Sequence, residues 1–161
     1  MKIDNINGKL LYEDDAETLR ETVENAVKAG RSLSRANLSW ADLSRANLSE
    51  ANLSRTTGLP EAPTIFDLDG KTLAEIDAKK ILFDMGGWCH ETSCGTTYCR
   101  AGAAVHLAGE AGEELQIKYG YNVAGALIYN ASYPGMRAPD WYATNEEALA
   151  DMRERAAMAA K

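Results

Sequence analysis

The chain has 161 residues, 45% of them hydrophobic, enough to bury one compact core, in one domain or in two subdomains. A net charge of −7 argues against general nucleic-acid binding, which needs clustered Lys and Arg. Three cysteines, an odd number, suit a reducing cytoplasm better than a disulfide framework. No apolar run reaches transmembrane length and the first residues lack a secretory pattern, so a cytoplasmic protein without membrane contact is expected.

Residues 1–30 carry seven acids against four bases. Asn7-Gly8 predicts a type I′ turn between arms at 2–6 and 9–12. Asp14 or Asp15 then opens a predicted helix to about Ala29. Leu19, Val23, Ala26 and Val27 lie on one face of it, and Gly30 stops it.

From Arg31 to Arg55 the chain repeats every five residues: Arg31-Ser-Leu33-Ser-Arg35, Ala36-Asn-Leu38-Ser-Trp40, Ala41-Asp-Leu43-Ser-Arg45, Ala46-Asn-Leu48-Ser-Glu50, Ala51-Asn-Leu53-Ser-Arg55. A helix would walk these leucines around its whole circumference, and a strand alternates with period two. A period of five suits a chain that turns a corner every five residues and sends one Leu and one Ala inward per side. Four sides close a square coil, so residues twenty apart, such as Leu33 and Leu53, stack. The units resemble the pentapeptide-repeat family, whose A(D/N)LXX repeats build a right-handed quadrilateral β-helix. Five units make little more than one coil, so the preceding helix and the following chain are expected to cap it. The run ends at Thr56-Thr57-Gly58, with Gly58 at the next Leu position. Arg35, Trp40, Arg45, Glu50 and Arg55 occupy the outward fifth position, and twenty-residue stacking puts Arg35 and Arg55 on one side. This segment carries two acids against four bases. An exposed Trp near Arg is a composition enriched at interfaces, which makes Trp40, Arg35, Arg45 and Arg55 the candidate partner-binding residues. Burial of Trp40 under the C-terminal half is the competing expectation.

Residues 59–161 read as a helical subdomain, with fifteen acids against nine bases from residue 60 onward. Pro60 and Pro63 mark a linker, and Asp69-Gly70 a turn. Helices are predicted over 73–83, 97–107, 110–118 and 123–131. Thr144 with Glu147 forms a capping box that opens a last helix to about Ala159. The fold class expected is therefore α+β: about one coil of right-handed quadrilateral β-helix at 31–58, capped by the hairpin and helix of residues 1–30 and packed on the helical part with its Cys-rich loop.

Cys89, His90, Cys94 and Cys99 fall within eleven residues and raise three readings. They could hold zinc, although cysteines five apart depart from compact zinc-knuckle spacing. Cys94 or Cys99 could be a thiolate activated by a helix N-terminus and His90. Or the cysteines are small buried residues locking a loop onto a helix start, with Thr96 or Thr97 as N-cap. The pattern W-x5-C-G-T-x2-C-x-A-G, followed by Val105-His-Leu-Ala-Gly-Glu-Ala-Gly112 and later Asp140-Trp-Tyr-Ala-Thr-Asn-Glu-Glu-Ala-Leu149, resembles a domain common in uncharacterised phage and bacterial proteins. That resemblance implies a small phage accessory protein and brings no catalytic residue or cofactor with it. Cys89 and Tyr98 depart from its usual pattern.

With no P-loop, GxGxxG or HExxH motif, the leading expectation is a non-enzymatic protein that binds a host defence or regulatory factor. The alternatives are a nucleotide-sequestering pocket protein, a Cys/His-dependent enzyme, and a virion assembly factor. Self-association is also open.

Overall fold

A computed structural model describes residues 1–86, 89–92 and 95–159. The class is α+β, with short strands and six helices among the described residues. Strand β1 (Lys2–Asp4) pairs antiparallel with β2 (Leu10–Glu13). Their turn is wider than the predicted type I′. The Gly8 N–H donates to Asn5 O, Gly8 takes φ +75°, and Asn7 keeps a negative φ. The Asn5 side chain explains the extra residue, because its Oδ1 accepts from both Asn7 N and Lys9 N at 2.9 Å. Helix α1 (Leu19–Lys28) starts later than Asp15. Thr18 and Glu21 form the capping box, while Asp14 accepts from Thr22 and Asn25 on the helix side.

The repeat turns a corner every five residues. Each corner closes when the N–H of Ala36, Ala41, Ala46, Ala51 or Thr56 donates to the Leu carbonyl three residues earlier, at 2.9–3.1 Å. The residue before that donor is left-handed: Arg35, Trp40, Arg45, Glu50 and Arg55 all have φ between 59° and 72°. The Asn or Asp of each unit also acquires a physical reason. Asn37, Asp42, Asn47 and Asn52 each accept from the Ser N–H two residues on, at 3.0–3.1 Å, which pins the turn. Leu33, Leu38, Leu43, Leu48 and Leu53 are buried, with Ala36, Ala46 and Ala51 beside them. Residues one circuit apart bond directly, Leu33 N to Asn52 O and Arg35 N to Ser54 O, and Asn37 bridges Thr57 in parallel. Only the last is a β-bridge, and it is isolated, so none of the segment is strand among the described residues. Gly58 closes the run because a Cβ there would lie 2.2 Å from Ser39 N. A sixth inward Leu has no room.

Just over one circuit leaves backbone groups without a neighbouring coil, and side chains meet them from both ends. On one end α1 lays Val23 and Ala26 into the core, and Glu24 Oε1 accepts from Asn47 N at 2.7 Å. Beside it the N-terminal hairpin adds a layer: Asn37 N donates to Asp4 O, and Ile6 N to Arg35 O. On the other end two asparagines of helix α5 (Tyr121–Ser132) supply what a further coil would have offered. Asn122 Oδ1 accepts from Leu48 N, and Asn130 Oδ1 from Leu53 N, while Asn130 Nδ2 donates to Ala51 O. Those buried carbonyls and amides would otherwise be left unsatisfied.

Residues 59–161 are not helical throughout. Helix α2 (Leu68–Asp77) begins five residues before the predicted start. Asp67 caps it, and Gly70, expected in a turn, lies inside its first turn, where a Cβ would strike the Asp67 carboxylate. The predicted helix over 73–83 therefore ends early, and Leu82–Phe83 forms β3. A second strand, β5 (Gly95–Tyr98), pairs parallel to β3 and antiparallel to β4 (Cys89–Thr92). Thr96, Thr97 and Tyr98 have β-favouring side chains, so their strand replaces the first turn of the helix expected from Thr97. Helix α3 (Arg100–Leu107) follows, capped by Cys99 rather than by a threonine. Helices α4 (Gly109–Tyr119), α5 and α6 (Asn145–Ala159) lie close to prediction, and Thr144–Glu147 form the expected box.

Candidate functional site

The corners of the coil divide into two kinds. At Arg45 the backbone N–H donates to Tyr119 O, and at Glu50 to Pro139 O, so both corners abut the C-terminal half. The corners at Arg35 and Arg55, and at Trp40, are on the outside. Trp40 is 101% exposed, which overturns the expectation that the helical half covers it. The helical half has no need of Trp40, since α5 and the 133–141 segment reach the coil through backbone groups and asparagines. Beside Trp40 is a hollow of about 250 Å³ lined by Thr18, Leu19, Arg20, Ala41 and Asp42. Arg20 is fixed there by donating to Ser44 O at 3.3 Å. Of the four partner-binding candidates, Arg35, Arg55 and Trp40 thus share the outward side, and Arg45 stands at the junction.

The Cys/His segment is less accessible to description. Cys94 lies outside the described residues, and of Cys89 and His90 only the backbone is described, in β4. Cys99 is buried at 4% exposure, and its Sγ accepts from Gly102 N at 3.4 Å. No group of three or more potential metal ligands occurs among the described residues. Burial makes Cys99 a slow thiol. In a variant carrying Cys89→Ser and Cys94→Ser, labelling by a thiol reagent should be far slower than for free cysteine until denaturant is added. Fast labelling of the native variant would show an activated Cys99.

A histidine that the motif reading passed over stands nearby. His106 of α3 places Nδ1 3.3 Å from Tyr98 Oη and Nε2 3.2 Å from Glu75 Oε2 of α2. The Glu75 Oε2 accepts no hydrogen bond from the described residues, so the second contact is proximity rather than a directed bond.

A second cluster, unseen in the sequence, lies under the helices. Arg100 is 1% exposed, and it spreads its guanidinium among three partners: Nε to Tyr129 Oη at 3.0 Å, one terminal nitrogen to Asp69 at 2.9 Å, the other to Asp151 at 2.6 Å. Tyr129 also donates to Asp69 at 2.7 Å, and Asp151 accepts from Arg155 at 2.8 Å. Four helices, α2, α3, α5 and α6, meet through these side chains. Burial pushes the Asp69 carboxyl above its ordinary range, against the pull of Arg100 and Tyr129. Tyr129 is raised too, by burial first. Asp151 goes the other way: burial lifts it, but the Arg100 and Arg155 guanidiniums outweigh that and hold it below the usual range. Above the cluster is a groove of about 400 Å³. Its walls carry Arg100, Arg137 and Arg155 but also Glu50, Asp140, Glu147 and Asp151, so a bound phosphate would face four carboxylates. Asp69 and Tyr129 are too deeply buried to meet a substrate. The cluster is a clasp between helices.

With this geometry in place, the comparisons bear on the coil. A family model described as pentapeptide repeats (8 copies) matches residues 30–57. The repeat segment is thus of pentapeptide-repeat type. No curated protein and no solved structure matches the chain significantly. No helix among the described residues is long and apolar enough to cross a membrane.

Proposed function

We propose that this protein works by docking another protein on the outward corners of its coil, and that it is not an enzyme. The observation that carries the reading is Trp40. All five corners share the left-handed backbone, and at this one the chain carries a fully exposed indole where the others carry Arg or Glu, with no packing in return. Binding is the remaining use of such a side chain, since Trp dominates interface hot spots. The coil itself we read as one circuit of a right-handed quadrilateral β-helix, on the strength of its period, its corners and its twenty-residue contacts. The phage-like W-x5-C-G-T-x2-C-x-A-G pattern makes a host defence or regulatory factor, met in the cytoplasm, the partner class we favour.

Trp40→Ala tests this. Exposed substitutions usually change stability by less than about 0.5 kcal/mol, which is under about 2 °C in melting temperature at this size. The variant should keep its melting temperature and lose capture of the partner from lysate. Undiminished capture would remove the reading, and a large drop in melting temperature would make Trp40 a structural residue after all.

A further inference from the structure

Resting on that reading of the outward corners, we infer that the surface formed by Arg35, Arg55, Ile6 and Trp40 recognises an acidic segment of a partner protein that also carries an apolar side chain. Arg35 and Arg55 hold equivalent corners of successive circuits: Arg35 N donates to Ser54 O, and Asn37 bridges Thr57 two residues further on. Neighbouring backbones in such a ladder are about 4.8 Å apart, so two guanidinium stems rise side by side. Like charges in that relation repel. Neither arginine has an ion pair among the described residues, where the salt bridges go to other groups. Both are exposed. In a chain with 24 acidic residues, leaving two stacked arginines without a carboxylate is a choice against intramolecular neutralisation.

The charges have apolar company. On the other side of Arg35 the hairpin contributes Ile6, whose N–H donates to Arg35 O and whose residue is 52% exposed. One corner further on stands Trp40. Two stacked positive groups beside an exposed aliphatic, with an exposed indole at the next corner, match a segment that carries both carboxylates and a hydrophobic side chain. A nucleic acid fits less well. Its continuous line of phosphates would run from these two arginines into a protein whose net charge is −7 and whose first thirty residues hold seven acids.

The test uses the full chain and three fluorescent probes: a Glu/Asp-rich dodecapeptide with one central Phe, a Lys-rich dodecapeptide, and a single-stranded DNA oligonucleotide of equal charge to the first. Anisotropy at low salt should show binding of the acidic peptide alone. Arg35→Glu with Arg55→Glu should weaken it at least about tenfold, as should a rise in salt, while Arg35→Lys with Arg55→Lys retains most of it. If the charge reversal disturbs folding, Arg35→Gln with Arg55→Gln serves in its place. No binding of the acidic peptide, equal binding by the reversed variant, or tighter binding of the oligonucleotide through the same arginines would each overturn the inference. The docking reading stands or falls separately. If Trp40→Ala abolishes partner capture while the acidic peptide fails to bind, the corner binds protein of another chemistry. If neither Trp40→Ala nor the charge reversal alters capture, the corner is not the docking site.

Discussion

Replacing Arg100 by Met should lower the stability of the protein by about 3–5 kcal/mol, the usual cost of removing one partner from a buried ion pair. The residue is almost wholly buried, and three of its nitrogens serve three different side chains. Truncation leaves Asp69 as a buried carboxylate with Tyr129 as its remaining side-chain donor, since Asp69 Oδ2 already has no partner. Methionine fills much of the volume, so a loss of this size reports charge and hydrogen bonding rather than a cavity. Removing both charges at once is the control: Arg100→Met with Asp69→Leu should recover part of the loss, because no unpaired ion then stays inside. Urea melts of the two variants decide it. If Arg100→Met costs under about 1 kcal/mol, the cluster is not a clasp.

The same cluster gives the protein a pH dependence whose two halves have opposite sign. Asp151 has its native pKa below the usual carboxylate range, so its contribution is complete above the unfolded value of about 3.9 and is lost as pH falls through the native value. Asp69 has its native pKa raised by burial, so its contribution is present at low pH and declines as pH rises through the native value. Asp151→Asn should therefore remove stability at pH 7 and make little difference at pH 2. Asp69→Asn should flatten the curve on the alkaline side of the carboxylate range. Melts of the two variants across pH 2–8 check both slopes, and a pH-independent deficit in Asp151→Asn would detach that residue from the effect.

What could be read from the sequence and what could not follows from the range of the forces involved. The five-residue period of Leu and Ala is a local pattern, and it led directly to corners, inward leucines and a stack twenty residues deep. The capping box at Thr144–Glu147 is equally local. Arg100 is 31 residues from Asp69 and 29 from Tyr129, those two are 60 apart, and nothing around any of them in the chain marks it as buried. Arg100 directly follows Cys99, in a stretch whose sequence is marked by its cysteines. Asn122 and Asn130 were invisible for the same reason: a polar residue in an apolar helix looks like an interruption until the coil's unpaired amides are seen against it. Thr96 or Thr97 suits a helix cap as well as a strand, since Thr favours both, and pairing with β3 and β4 decides for the strand. Trp40 shows the converse. Its outward place was legible in the period, but whether another element covered it depended on where the second half of the chain packed.

Leu43→Ala should cost about 2–5 kcal/mol, while Ser44→Ala beside it changes stability by less than about 0.5 kcal/mol. Leu43 is 2% exposed and belongs to the core that joins the coil to α1 and α5. Deleting its terminal carbons loses their burial and leaves a cavity, because the corners at Arg45 and Glu50 are tethered to Tyr119 and Pro139 and hinder collapse of the ring. The size of the loss within that range therefore measures how rigid a single circuit is. Ser44 is half-buried, but what holds its unit is backbone: its N–H donates to Asp42 Oδ1 and its carbonyl accepts from Arg20. Both bonds survive the change to Ala. Asp42→Ala, by contrast, removes the acceptor that pins the turn and should cost more than Ser44→Ala and less than Leu43→Ala. Denaturant melts of the three variants test the corner geometry residue by residue. Equal effects at 43 and 44 would mean that the side chains do not alternate between core and solvent as the corners require, and the five-residue architecture would fall with them.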